Sequence, residues 1–200
     1  MSRRGLCVWF GVAVGFVALG CSSSAVSPPP SSAVPDAGDD TAIVIQDYAA
    51  GLAQVHVANS DVKLSIGSDP ELSGGPVLSV QYPLATNDPA GRDVNCDAEN
   101  QDWTAGNAVS FQIKPAQAVK ISVSFLDRNH VAYTDYRELE GGAWQPVRIT
   151  FADWPKNLYF QPKDAKLDQP MDVSEVTGIA FAPQVSTSGS LAVSKFVVVK

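Results

Sequence analysis

Val119-Lys-Ile-Ser-Val-Ser-Phe125 decides the fold. Val119, Ile121, Val123 and Phe125 fall on one side, opposite Lys120, Ser122 and Ser124. That period of two belongs to a half-buried strand. Val109-Ser-Phe-Gln-Ile113 and Val147-Arg-Ile-Thr-Phe151 repeat it. Further strands are expected at 42–47, 53–58, 62–66, 77–84, 131–138, 177–182 and 190–199. Gly74-Gly75-Pro76, Pro89-Ala90-Gly91, Gly141-Gly142 and Ser188-Gly189 separate them as turn formers. No window holds a long helical stripe. About ten strands without crossover helices predict an all-β, antiparallel sandwich.

The first forty residues read as an address and a spacer. Arg3 and Arg4 precede an uncharged apolar run from Leu6 to Leu19, short for a bilayer span. Ala18-Leu19-Gly20-Cys21 resembles the box of bacterial lipoproteins, which implies lipidation of Cys21. Plain secretion, with Cys21 a thiol, is the alternative. Ser22 to Asp40 is rich in Ser, Pro and Ala, and buries too little surface to offset its ordering entropy. Extended at about 3.1 Å per residue, it reaches roughly 60 Å. The expected division is a lipoprotein signal peptide at 1–20, a lipidated Cys21 and tether at 21–40, and a sandwich at 41–200. The expected location is the bacterial cell envelope, by export and a lipid anchor in a membrane.

The chain carries a formal charge of −7, and loss of Arg3 and Arg4 takes it near −9. Nucleic acid is disfavoured, because phosphates need a basic patch. A neutral ligand suits such a surface. Cys7 leaves with the leader and Cys21 is acylated, so Cys96 has no intrachain partner and is either buried or dimer-forming. His56 and His130 stand on separate segments with no paired Cys or His, so zinc is not expected. Asp93-Val-Asn-Cys-Asp97 opens like an EF-hand loop, but Ala98 and Thr104 replace its Gly and Glu. A looser structural calcium site would draw on Asp47, Asp93, Asn95 or Asp97; solvated loop carboxylates are the commoner case. Nothing in the spacing of Asp127 and Asp153 supports a glycosidase pair, and no serine-nucleophile or phosphate-loop motif occurs. No enzyme is expected.

The outer sides of the central strands carry Ser110, Gln112, Ser122, Ser124, Arg148 and Thr150. If those strands are neighbours, this face is a shallow polar trough walled by flanking loops. A plain solvated sheet face is the commoner alternative.

Several pieces, in order, carry a resemblance: Ile45-Gln-Asp-Tyr48, Gly75-Pro-Val-Leu-Ser-Val-Gln-Tyr82, Asp102-Trp103 and Gly142-Ala-Trp144. Leu158-Tyr-Phe-Gln-Pro162, Val176-Thr-Gly-Ile179 and the final strand follow. From about Ile43 to Val199 the chain resembles the galactose-binding-like jelly-roll sandwiches. It is nearest to family 11 carbohydrate-binding modules and the complex I intermediate-associated proteins. The resemblance implies noncatalytic recognition of a β-glucan-type polysaccharide or oligosaccharide along a concave sheet face. Aromatic rings there meet sugar C–H faces and polar groups meet hydroxyls.

The residues it points to are Tyr82, Asp127, Tyr133, Arg137, Arg148, Tyr159 and Gln161. Tyr82 shares the parity of Leu78 and Val80, so a core role is an equal reading. Tyr136 lies three residues from Tyr133 and faces the other way in a regular strand; Tyr133 is preferred. Trp103 and Trp144 read as core or lid residues, and Trp154 as partly exposed. Ala180 and Pro183 stand where relatives present His and Tyr, and Ser194 where an Asp helps hold calcium. These departures favour the alternative, a protein-interaction or assembly domain on the same sandwich with no sugar ligand.

Overall fold

The computed structural model describes residues 41–57, 61–72, 75–83, 93–184 and 187–200. The expected leader, Cys21 and tether lie outside them. Twelve strands form among the described residues. They are β1 (Thr41–Gln46), β2 (Val55–Val57), β3 (Lys63–Gly67), β4 (Val77–Tyr82), β5 (Val94–Gln101) and β6 (Ala108–Pro115). The rest are β7 (Val119–Leu126), β8 (Ala132–Leu139), β9 (Gln145–Thr150), β10 (Val176–Pro183), β11 (Gly189–Val193) and β12 (Phe196–Val199).

One sheet runs β2-β5-β10-β7-β8. The other runs β1-β12-β6-β11-β4-β3, with β9 on the free edge of β6. All pairs are antiparallel. The expected all-β antiparallel sandwich is the observed one.

One strand is additional to those expected and another is divided. β5 falls outside every strand expected from the sequence. Val94, Cys96 and Ala98 point inward and are buried, while Asp93, Asn95 and Asp97 face out. Acidic residues are depleted in strands, and here they disguise the alternation. Tertiary pairing to β2 and β10 overrides that preference. The end of β5 bulges: Gly178 pairs with Asp97, yet Val176 pairs with Gln101. Glu99 and Asn100 absorb the extra length at φ 51° and 57°.

The final strand breaks at Ser194-Lys195 into β11 and β12, which share one edge of β6. Ser194 bridges the gap. Its N–H donates to Gln112 O at 2.9 Å, and its hydroxyl accepts from Gln112 N at 2.7 Å.

An aromatic cluster fills the space between the sheets. The Phe125 ring lies 5.5 Å from Trp103, 5.4 Å from Tyr133 and 4.7 Å from Trp154, centre to centre. Phe196 sits 4.5 Å from Phe111 and 5.8 Å from Phe181. Trp103 is in the core as expected, and Trp144 is half-buried. Trp154 corrects its expectation: it is buried, and its indole donates to Val123 O at 3.3 Å. Cys96 is buried as well, and burial, aided by the charge of Asp97, pushes its thiol up to about 12.

Two outcomes follow for stability. Phe125→Ala removes the hub of three ring contacts and is expected to cost about 3–5 kcal/mol in urea unfolding. Cys96 has a folded pKa above its unfolded value near 9. Its contribution is therefore complete below pH 9 and drains as pH rises toward 12, at about 1.4 kcal/mol per pH unit. Tyr48 and Tyr133, raised by their own burial, add a later loss. Cys96→Ala should flatten the earlier part of the decline, measured as unfolding free energy across alkaline pH.

Candidate functional site

The outer face of the five-stranded sheet forms a groove of about 780 Å³. Its floor is the central strand β10, which contributes Gly178 and Ala180. A Cβ on Gly178 would come within 2.5 Å of Cys96 O, so the bulged end of β5 presses against a strand that must be bare there. Ser122 and Ser124 of β7 and Thr134 of β8 rise on one side; Asn95 and Asp97 of β5 rise on the other. Pairing aligns Asn95, Ala180, Ser124 and Thr134 in one row across the sheet. Three inter-strand steps of about 4.8 Å set β5 and β8 about 14 Å apart. Side chains from both flanks leave room for one extended chain of sugar width.

The β8 flank is aromatic. Tyr136 faces the groove and is 42% exposed. Beside it stand Tyr159 and Phe160, 89% and 61% exposed. Local hydrogen bonds build this wall. Asn157 accepts from Tyr159 N at 2.8 Å and Phe160 N at 2.9 Å, turning Leu158-Tyr159-Phe160 outward. Its amide donates to Thr134 Oγ1 at 2.8 Å. Gln161 accepts from Ala132 N and donates to Ala132 O, both at 2.9 Å. Thr134 N donates to Pro155 O, and Asn157 N to Ala132 O. The segment is thus stitched to the edge of β8. On the opposite rim, His56 Nε2 lies 2.9 Å from Asp97 Oδ2. Gln184 donates to Ser122 Oγ at 3.0 Å at another point of the lining.

Of the seven residues that the resemblance points to, Tyr159 lines the groove. Tyr82 is corrected to the core: it is 3% exposed and its ring covers Gly189, where a Cβ would meet the phenol at 2.5 Å. Tyr133 is corrected likewise, because its pairing with Phe125 fixes it inward. Burial, then the charge of Asp127, raises its phenol to about 12. Tyr136, set aside from sequence, is the groove tyrosine. Arg137 pairs with Asp135 on the side of β8 that Tyr133 occupies. Arg148 belongs to the other sheet and donates to Asn107 Oδ1 and to Lys200 O. Asp127 is 2% exposed and accepts from the backbone N–H groups of Asn129, Val131 and Asp172, each at 2.9 Å. Gln161 is a clamp of the wall rather than part of its face.

The expected polar trough divides between opposite faces of the sandwich. Ser122 and Ser124 lie in the groove; Ser110, Gln112, Arg148 and Thr150 lie on the seven-stranded sheet. Pro183 points to the core with Ile179 and Phe181, and Ala180 alone of the two altered positions reaches the groove floor.

The residues proposed for calcium do not fit one ion. Asp93 just before β5, and Asn95 and Asp97 on it, follow one another at two-residue steps of about 6.6 Å. Asp47 accepts from Ala49 N in its own turn. The Ser194 hydroxyl is taken up by the strand break. Among the described residues no group of three His, Cys, Asp or Glu could hold a metal.

The family model for carbohydrate binding domain (family 11) matches residues 27–197. A family 11 carbohydrate-binding module from Clostridium thermocellum has been solved with a β-1,3-1,4-mixed-linked tetrasaccharide. It superposes at TM-score 0.61 and 18% identity, over 78% of this chain and 94% of that one. A family 30 module of a Clostridium thermocellum cellulosomal cellulase gives TM-score 0.52 at 13% identity, over 80% of this chain and 94% of that one. An exo-β-agarase gives 0.56 at 10% identity, over 78% of this chain and 25% of the agarase. At such identities the likeness is one of fold. No curated protein matches the chain.

Asp127→Asn turns an amide N–H toward the N–H of Asp172. It is expected to lower unfolding free energy by about 1–3 kcal/mol, the cost of buried donors left without acceptors. Denaturant unfolding measures it.

Proposed function

The chain belongs to carbohydrate binding domain family 11, whose members are noncatalytic binding modules, and from that premise we propose that its groove binds a β-glucan-type polysaccharide. The observation that carries the reading is the pairing of an exposed aromatic wall with a polar, small-residue floor. Tyr136, Tyr159 and Phe160 offer faces for sugar C–H groups. Asn95, Asp97, Ser122, Ser124 and Thr134 offer donors and acceptors for hydroxyls. Both roles are filled along an open groove, as an extended chain requires. The structural relative solved with a mixed-linked tetrasaccharide supports the choice of ligand class.

We further propose that the domain is exported and tethered to a membrane of the bacterial cell envelope through lipidated Cys21. The residues before Cys21 and the Ser/Pro-rich spacer after it support this. Among the described residues no helix is long and apolar enough to cross a membrane.

Affinity electrophoresis in mixed-linked β-glucan tests the ligand. The native chain should be retarded, and Tyr136→Ala and Tyr159→Ala should each weaken binding about three- to tenfold, the size of one aromatic contact. Lack of retardation on any β-glucan, or indifference to the double substitution, would favour the protein-interaction alternative.

A further inference from the structure

We infer that the groove sorts glycans by charge, admitting β-linked chains that bear amino groups and turning away chains that bear carboxylates. This rests on the sugar-binding reading above and goes further by naming the property that separates ligands. The charged side chains among the described residues lining the groove are Asp93 and Asp97; those residues include no Lys or Arg. Among the described residues, the cations on neighbouring elements already have anionic or carbonyl partners, and Lys120 shares the outer face of β7 with Ser122 and Ser124. Arg137 pairs with Asp135, and Lys156 donates to the carbonyls of Leu167 and Gln169. Lys120 lies 3.2 Å from Glu138 and 5.5 Å from the centre of the Tyr136 ring.

Asp97 enters from β5 with half of its side chain exposed, even beside His56. The aromatic wall stands across the groove. Aromatic faces attract cations as well as sugar C–H groups. Tyr136 already faces Lys120, so an ammonium on a bound sugar would have the Asp97 carboxylate on one side and the exposed faces of Tyr159 and Phe160 on the other. A uronate carboxylate would meet Asp97 as a like charge, and the net charge of −7 adds to that repulsion. Glucosamine polymers with β-1,4 linkage combine an extended backbone with such an ammonium.

Calorimetric titration of the full chain compares three β-1,4-linked hexasaccharides: glucose, glucosamine and glucuronate. Slightly below neutral pH, where the amines are charged, glucosamine should bind about fivefold tighter than glucose at low salt. That is the size of one charge pair at 4 Å in water. The preference should shrink at high salt, and glucuronate should bind weakest. In Asp97→Asn the glucosamine-to-glucose affinity ratio should fall to about one. Glucose hexamer binding without this order, or with an order that Asp97→Asn preserves, overturns charge sorting alone. Failure of all three hexamers to bind overturns the sugar-binding reading with it.

Discussion

Burial of one side of every strand against the opposite sheet is the constraint on which the rest depends. Side chains alternate across a strand, so committing Val119, Ile121, Val123 and Phe125 to the core commits Ser122 and Ser124 to the outside. Pairing passes the choice to the neighbours. Phe125 opposite Tyr133 and Ile179 forces both inward, and Thr134 and Ala180 outward. The groove is thus the complement of the core. Its small floor follows from β10 having Gly178 and Ala180 on its outer positions, while Ile179 and Phe181 fill the interior.

The two-layer fold was legible because the aliphatic alternation in β6, β7 and β9 admits one reading. The site was less so. Ala132-Tyr-Thr-Asp-Tyr-Arg137 has an aromatic on each face, and its phase is set only at the two ends, by Val131 and Leu139, which are buried in step with Tyr133. Pairing of Tyr133 with Phe125 on the partner strand reinforces that phase and leaves Tyr136 outside. Sheet membership is likewise nonlocal: β6, β7 and β9 follow one another closely, yet β7 joins the opposite layer, which parts the expected trough. Tyr82 carried its own signal in the parity of Leu78 and Val80.

Asp127, Asn157 and Gln161 are types that bind hydroxyls well, and sequence cannot say whether the partner is ligand or backbone. Here each satisfies main-chain groups. Long irregular connections leave N–H and C=O groups unpaired, and short polar side chains supply the missing partners. The aromatic wall depends on that supply, because Asn157 and Gln161 fix the backbone that carries Tyr159 and Phe160.

The same stitched segment has another effect. β8 ends its sheet, and a bare outermost strand is a template for strands of other molecules. Lys156 bridges to Tyr133, and Pro155 O and Asn157 N occupy the main-chain partners of Thr134 and Ala132. Beyond them, Asp135, Arg137 and Glu138 bring charge to the rim. An incoming chain finds no continuous ladder to extend, so neighbouring copies are denied a route to fibre-like stacking along this border.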